Sequence, residues 1–421
     1  MKNPAVLFSS LRAYPMSFWL LCLNMLVFMM SFNMLLPEMN DYITQLGGAD
    51  YKWMILGLWT FAAAIARPFS GKIADNISRK SVMYFGIGIS ILISLLYPLF
   101  ITVTGFLILR FLHGFSTGFH PTGATAIIAD IVPRGKRGEA MGLFGVMISL
   151  GFSGGQAIGS PIKQAVGFNG LFLFAVLLGV FAFLLLLVVR EREKMLVVEE
   201  EETTVVDQSS ASQQPKVVSS FWSKVIPKWS EVIAPEVVHP SVLMFLTAMC
   251  SGIYMMSVPD FSEHLGLSNK GMFYLVNVSF MVITRILSGQ FYDRYGARRN
   301  LNVGLILMAL GAIVTATSTS ITQFLLSSII FGIAASICSP ALFAWTADLA
   351  NPKFKGRGMS TMFIALELGI ATGTFSSQMI YDNQPANFFY LFLWTAVLCM
   401  FGIVYLFFTK RSKWNNSQSE D

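Results

Sequence analysis

Two stretches decide the reading of this chain: RPFSGKIAD at residues 67–75 and RILSGQFYD at residues 285–293. Arg67, Ser70, Gly71 and Asp75 of the first recur as Arg285, Ser288, Gly289 and Asp293 of the second, at an offset of 218 residues. The same offset carries Ala129, Asp130, Gly138 and Met141 onto Ala347, Asp348, Gly356 and Met359. It also carries Gly114, Gly151 and Gly155 onto Gly332, Gly369 and Gly373. Common glycines and alanines recur by chance. Two aspartates and an arginine at one offset do not, in a chain of which only 12% is charged. The chain is therefore two copies of one unit.

Composition places both copies in lipid. Of 421 residues 54% are hydrophobic, and the charged fraction is half the ~25% of an ordinary soluble protein. Twelve apolar runs span 17–37, 51–73, 81–102, 105–131, 140–162, 168–190, 240–261, 271–291, 299–318, 321–347, 358–381 and 388–409. Most approach the ~20 residues that cross the hydrocarbon core of a bilayer. Only a helix satisfies its own backbone within one such segment, and the runs lack the alternation of barrel strands. The fold class is thus all-α and polytopic, with twelve transmembrane helices in two pseudo-symmetric six-helix bundles, residues 1–190 and 240–421. Residues 191–239 form a linker. Its acidic run Glu199–Glu202 and polar stretch Ser209–Gln214 offer too little apolar surface to offset ordering. Phe221, Trp222, Val225, Ile226 and Trp229 then fit either an interfacial helix or a loose surface segment, since Pro227 lies among them.

Basic residues set the orientation. With the N-terminus in the cytoplasm, 23 of the 29 lysines and arginines fall on the cytoplasmic side, and only Lys52, Lys163 and Lys270 fall outside. Arg67, Arg110 and Arg285 lie within spans. Both termini and the linker are accordingly expected in the cytoplasm. The net charge of +6 reads as an orientation signal rather than a nucleic-acid surface. Cys22, Cys250, Cys338 and Cys399 all fall in apolar runs and read as small buried residues without disulfides. The first run is full length and lacks a small-residue cleavage pattern, so no signal peptide is expected.

At this point the sequence resembles a known family. GKIADNISRK at 71–80 is similar to G-x-L-A-D-R-x-G-R-K, the signature loop of the major facilitator superfamily between its second and third helices, and GQFYDRYGARR at 289–299 is the repeat between helices 8 and 9. The first copy has Ser78 where the second keeps Gly296, a strained choice if the position needs a positive φ. The resemblance implies a latch joining the halves on the cytoplasmic side, built from Gly71, Asp75, Arg79, Asp130, Gly289, Asp293, Arg298 and Asp348. Asp130 and Asp348 are the natural partners of Arg79 and Arg298. Gly71 and Gly289 would let helices approach closely, and Asp75 and Asp293 would favour a helix start. RFLHG at 110–114 resembles the family's R-x-x-Q-G, in whose proton-coupled members the arginine has been assigned a coupling role. Gly142, Gly151, Gly155 and Gly159 match four of six positions of the antiporter pattern on helix 5, with Gln156 and Ser160 as departures. Such glycines would thin this helix at its seam with the other half.

Polar residues inside spans mark the expected cavity, because a charge there costs at least ~2.5 kcal/mol and must face a partner or water. Arg110, His113, Thr117 and His120 share one helical stripe. Asn24, Asn33, Gln156, Tyr254 and Asn277 are further polar candidates, and Phe343 and Trp345 a candidate apolar wall. Glu367 is the acid near the centre of a span; a buried carboxylate without a partner tends to pick up a proton, which makes Glu367 a candidate for proton coupling alongside Arg110, whose coupling role the resemblance implies.

GFSGG (151–155) and GFSTG (114–118) also fit the hydrolase pattern G-x-S-x-G. That elbow needs a strand, a turn and a helix, and an intramembrane serine hydrolase leaves the duplication unexplained. No P-loop or metal-ligand cluster is evident, and no cofactor, metal, catalytic residue or nucleic-acid partner is expected. The reading is a monomeric secondary active transporter of the plasma membrane (the inner membrane in a Gram-negative bacterium) resembling the proton-coupled drug and metabolite efflux branch. Its partners are a small organic solute, protons and the bilayer. The alternative within transport is uptake of a sugar or organic ion by symport.

Overall fold

The computed structural model describes residues 14–132, 137–190, 232–351 and 355–409, apart from the side chains at 75, 137–138, 286–295 and 355–356. Every regular element among them is helical. The helices are α1 (Met16–Asn33), α2 (Leu36–Gln45), α3 (Lys52–Asn76), α4 (Arg79–Leu96), α5 (Val103–Ile131), α6 (Arg137–Val188), α7 (Val238–His264), α8 (Met272–Ala316), α9 (Ile321–Leu349), α10 (Lys355–Tyr381) and α11 (Phe388–Phe408). Among the described residues nine helices are long and apolar enough to cross a membrane. α5 is not one of the nine, though it runs for 29 residues. Arg110, His113, Thr117 and His120 lower its hydropathy.

The helix bounds depart from the apolar runs where backbone geometry differs from hydropathy. α6 has 52 residues, about 78 Å at 1.5 Å per residue, which is far more than a bilayer core. It is broken by Gly167 at φ 70° and ψ −175°, a conformation that glycine adopts without steric cost. α8 breaks in the same way at Gly296, with φ 75° and ψ 169°. Ser78, at the matching position of the first copy, takes φ −166° instead. It escapes the strain by ending one helix and capping the next: its hydroxyl accepts from the Ser81 amide at 3.2 Å. The first span also continues past residue 37, through a turn at Met34–Leu35, into the polar α2. α7 begins at Val238, inside the range read as linker, and the segment before it is docked. Thr361 donates its hydroxyl to the Val232 carbonyl at 3.1 Å and accepts from the Ala234 amide at 2.9 Å. The interfacial segment at 221–229 lies outside the described residues.

Packing follows the duplication. In the first half α6 lies on α1 and α4, while α5 lies on α3 and α4. In the second, α8 lies on α9 and α11, and α7 on α10 and α11. The larger buried apolar clusters draw their fully buried members from one half or the other: Phe18, Phe28 and Phe144 in the first, Tyr254, Phe273 and Phe392 in the second. Two contacts carry most of the seam, α3 against α10 and α6 against α8. Large apolar side chains such as Leu95, Leu177, Phe401 and Phe407 point outward, as lipid-facing residues do. The protein is an all-α polytopic membrane protein.

Candidate functional site: a cavity between the two halves

A cavity of about 1500 Å³ opens between the halves. It extends from mid-height to the end where α1 begins, which Lys72, Asn76, Ala129 and Arg357 line. Its walls are largely apolar and include aromatic and thioether side chains from both halves: Met29, Phe32 and Trp59 from the first, Phe273, Phe331 and Phe363 from the second. Such a surface binds apolar bodies of varied shape, because aromatic faces and flexible thioethers offer contact without fixed hydrogen bonds.

One ion pair crosses the seam within this wall. Arg67 on α3 donates to Glu367 on α10 at 2.9 Å, with side chains 12% and 7% exposed. The guanidinium also lies 4.4 Å from the centroid of the Phe363 ring, one helical turn away. Glu367 therefore has a partner, contrary to the expectation of an isolated carboxylate, and that partner is Arg67 rather than Arg110. The repeat had marked Arg67, yet it pointed only to Arg285 and not to the second half's acid. Arg285 itself donates to Ser149 on α6 at 3.3 Å.

At the opposite end the halves are tied together. Lys52 meets Asp260 at 2.7 Å, and Asn40 donates to the same carboxylate at 2.7 Å. Lys270 meets Asp41 at 2.8 Å and Glu263 at 2.7 Å. Lys163 meets Glu38 at 3.2 Å, and Ser160 donates to Glu38 at 2.6 Å. Of the three lysines that orientation placed apart from the rest, Lys52 and Lys270 bridge the halves, and Lys163 pairs within the first half with Glu38 and Asp41. Burial alone would lower the Lys270 pKa, but the carboxylates of Asp41 and Glu263 outweigh it and raise it above the ordinary value. Gly271 permits the close approach: a side chain there would strike the backbone of Gln156.

The polar stripe on α5 is mostly internal to the first half. Thr117 lines the cavity. Arg110 is 1% exposed, and donates to the Ile55 carbonyl at 3.0 Å and to the Tyr97 hydroxyl at 3.3 Å. His113 lies between the Tyr97 hydroxyl at 3.0 Å and the Ser90 hydroxyl at 3.1 Å. In the neutral imidazole one ring nitrogen donates and the other accepts, so His113 bridges the two hydroxyls. His120 bonds Asn24 at 2.9 Å, and Asn24 donates to the Ala182 carbonyl at 2.6 Å. Asn33 donates to the Met29 carbonyl at 2.8 Å.

Of the sequence candidates for the cavity, its lining includes Thr117, Tyr254 and Asn277, together with Glu367. Arg110, Asn24, Asn33, His113, His120, Gln156, Phe343 and Trp345 are not among the lining residues. They fill helix contacts instead, because in hydrocarbon a polar side chain can be satisfied by a neighbouring carbonyl as well as by a cavity. Tyr254 bonds Thr315 at 2.8 Å, Phe343 packs on Phe363 with ring centroids 5.4 Å apart, and Trp345 is 2% exposed.

The family model described as Major Facilitator Superfamily matches residues 21–316 and 241–421. The chain belongs to the major facilitator superfamily. It is a transporter and not an enzyme. An uncharacterised MFS-type transporter of Methanocaldococcus jannaschii is 24% identical over 357 residues, covering 84% of this chain and 88% of that one. Multidrug resistance protein 2 of Bacillus subtilis is 24% identical over 395 residues, covering 92% and 93%. Among solved structures, the auto-inhibited POT family peptide transporter superposes with a TM-score of 0.70 at 12% identity, covering 94% and 98%. The human organic anion transporter MFSD10 (TETRAN) does so at 0.66 and 18%, covering 93% and 100%.

Within this major facilitator superfamily chain, Arg79 and Arg298, two of the residues expected in the latch, contact their own halves. Arg79 forms an ion pair with Asp130 and donates to the Ala126 carbonyl at 3.1 Å. Arg298 donates to the Phe407 carbonyl at 3.3 Å, and Asp348 is exposed. The side chains of Asp75 and Asp293, and Gly289 with them, lie outside the described set. Gly71 does not serve a close helix approach here, since a Cβ on it would meet open space beside the cavity. The helix-5 glycines also correct an expectation. Gly151, Gly155 and Gly159 press on the backbone of Leu26, Met30 and Met34 in the first half's own helix, not on the other half. A Cβ on Gly142 would meet open space. A ladder of glycines four residues apart makes one groove, and α1 fills it. Gly369 and Gly373 receive Phe245 and Met249 in the same way.

Proposed function

We propose that the protein exports a small organic compound, drug-like or a metabolite, in exchange for protons by alternating access. In this reading twelve helices cross the plasma membrane as two six-helix bundles, with both termini and the linker in the cytoplasm. The protein works as a monomer. The observation that carries the proposal is the Arg67–Glu367 pair in the wall of a largely apolar cavity. A titratable acid held at the seam, among aromatic surfaces that suit an amphipathic solute, joins proton binding and solute binding in one chamber. The drug-resistance names of relatives such as the Bacillus subtilis protein support export. In the orientation set by the basic residues, the described state faces the cytoplasm, with the Lys52–Asp260 and Lys270–Asp41 pairs closing the outer side. Rocking of the halves would break these pairs and form the cytoplasmic latch, in which Arg79, Asp130, Asp75 and Asp293 would take part.

Purified protein in liposomes, offered a panel of aromatic and aliphatic solutes with and without a pH step, tests this reading. Accumulation that follows an imposed proton gradient supports exchange. Solute movement indifferent to the gradient in either direction refutes coupling, and accumulation on the same side as protons assigns symport instead.

A further inference from the structure

We infer that Arg67 is the positioning residue that ties the proton on Glu367 to contact between the two halves. The inference rests on the coupling role proposed above for Glu367. Arg67 belongs to the first half and Glu367 to the second, and the 2.9 Å bond between them spans the seam where α3 packs on α10. A guanidinium beside a carboxylate favours its charged form, most strongly where water is scarce. Any movement that parts α3 from α10 at this height withdraws that attraction. It leaves the carboxylate in an apolar wall, where the neutral acid is favoured. Rejoining the helices expels the proton to water in the cavity; only the O–H bond is broken. Proton occupancy then follows the state of the seam.

The other titratable groups around Glu367 are engaged elsewhere or stand farther along the helices. Of those lining the cavity, Tyr254 bonds Thr315, Tyr274 donates to the Tyr254 carbonyl at 3.0 Å, and Arg357 pairs with Glu236 at 3.1 Å. Lys72 lines the cavity five residues beyond Arg67. Among the helices packed on α10, α7 holds Asp260 and Glu263 at its far end, α9 holds Asp348 at its exposed end, and α11 carries Tyr390 and Tyr405.

The internal repeat separates a coupling role from a packing role. The 218-residue offset carries Arg67 onto Arg285, and Gly145 and Ser149 onto Phe363 and Glu367. Arg285 donates to Ser149, and its guanidinium lies 3.2 Å from where a Cβ on Gly145 would stand. An arginine laid across the seam is therefore a duplicated device. At the matching positions the second half carries a ring and a titratable acid, Phe363 and Glu367, where the first half has Gly145 and Ser149.

The test needs no known substrate. Infrared titration of the purified full-length protein follows the protonated carboxyl stretch of Glu367, assigned by its loss in Glu367→Gln. In Arg67→Gln the midpoint should move to alkaline pH by about one unit or more, a tenfold change in proton affinity. Arg67→Lys, which keeps a charge but loses the planar fork, should move it less. Arg285→Gln should leave it in place. An unmoved midpoint in Arg67→Gln, or in Arg67→Lys should the glutamine variant not fold, overturns the inference while leaving Glu367 as the coupling acid. If Glu367→Gln still couples transport to the proton gradient, the coupling proposal itself falls, and this inference with it.

Discussion

Arg67 and Glu367 meet across the seam at 2.9 Å although 300 residues separate them in the chain, and the repeat sets Arg285 against Ser149 in the mirrored contact at 3.3 Å. The two contacts share an architecture and differ in one acid. Under the proposed coupling, that difference makes α10 the helix on which proton chemistry acts, since α6 carries Ser149 at the matching position.

Replacing the acid while keeping its shape should separate coupling from binding. Glu367→Gln is expected to lose gradient-driven accumulation yet retain solute exchange between equal pools. Counterflow and pH-step assays on the same liposomes measure both. Unaltered accumulation would return Glu367 to a structural hydrogen bond.

Removing the cation should also cost stability. Without Arg67, Glu367 either stays charged and uncompensated, at about 3–5 kcal/mol, or takes up a proton, so the loss should grow as the pH rises. Arg67→Ala, which also removes the contact with Phe363, should therefore lower the thermal midpoint at alkaline pH more than Glu367→Gln, which leaves a neutral acceptor for the guanidinium. Equal midpoints for both variants would show that the pair contributes little.

The closed end offers a population test. Asp260→Asn weakens both Lys52 and Asn40 at once. Truncating a partner of a desolvated pair costs about 2–5 kcal/mol, enough to shift an equilibrium between two conformations at least tenfold at 1.4 kcal/mol per decade. A cysteine at Thr117 should then react faster with an impermeant thiol reagent applied from the Lys52 side. No acceleration would mean that other contacts hold this end shut.

Lys270 has a defined pH signature. Its folded pKa lies above the free value of 10.5, so the stability it lends is complete below pH 10.5 and is lost as the pH rises through the higher folded value. Lys270→Met should flatten the alkaline limb of a stability profile and leave its shape near neutrality unchanged. An alkaline limb identical to that of the parent would remove Lys270 from the closure.

Gly159→Val should be among the most damaging apolar substitutions, because its side chain would enter the backbone of Met34. A loss above the ~1–3 kcal/mol of ordinary overpacking is expected, since a backbone cannot rotate aside as a side chain can. Gly142→Val, facing open space, should be tolerated; equal thermal midpoints for the two variants would refute the groove.

The sequence by itself determined the membrane class, the helical elements, the duplication and the family loop. Each of these is written in local composition or in a fixed offset. It also foresaw the Arg79–Asp130 pair, whose members sit at helix ends on one side of the membrane. What only the tertiary structure decided is which inward side chains meet. Lys52 finds Asp260 across 208 residues, the glycine ladder receives α1, and Asn24, His113 and His120 turn into helix contacts instead of the cavity. The physical reason is that a helix apolar on all sides carries no amphipathic stripe to say which face turns inward. Hydropathy records that such a helix is buried in lipid or protein; its rotation, and therefore the partner of each buried charge, is set by close packing against helices far away in the chain.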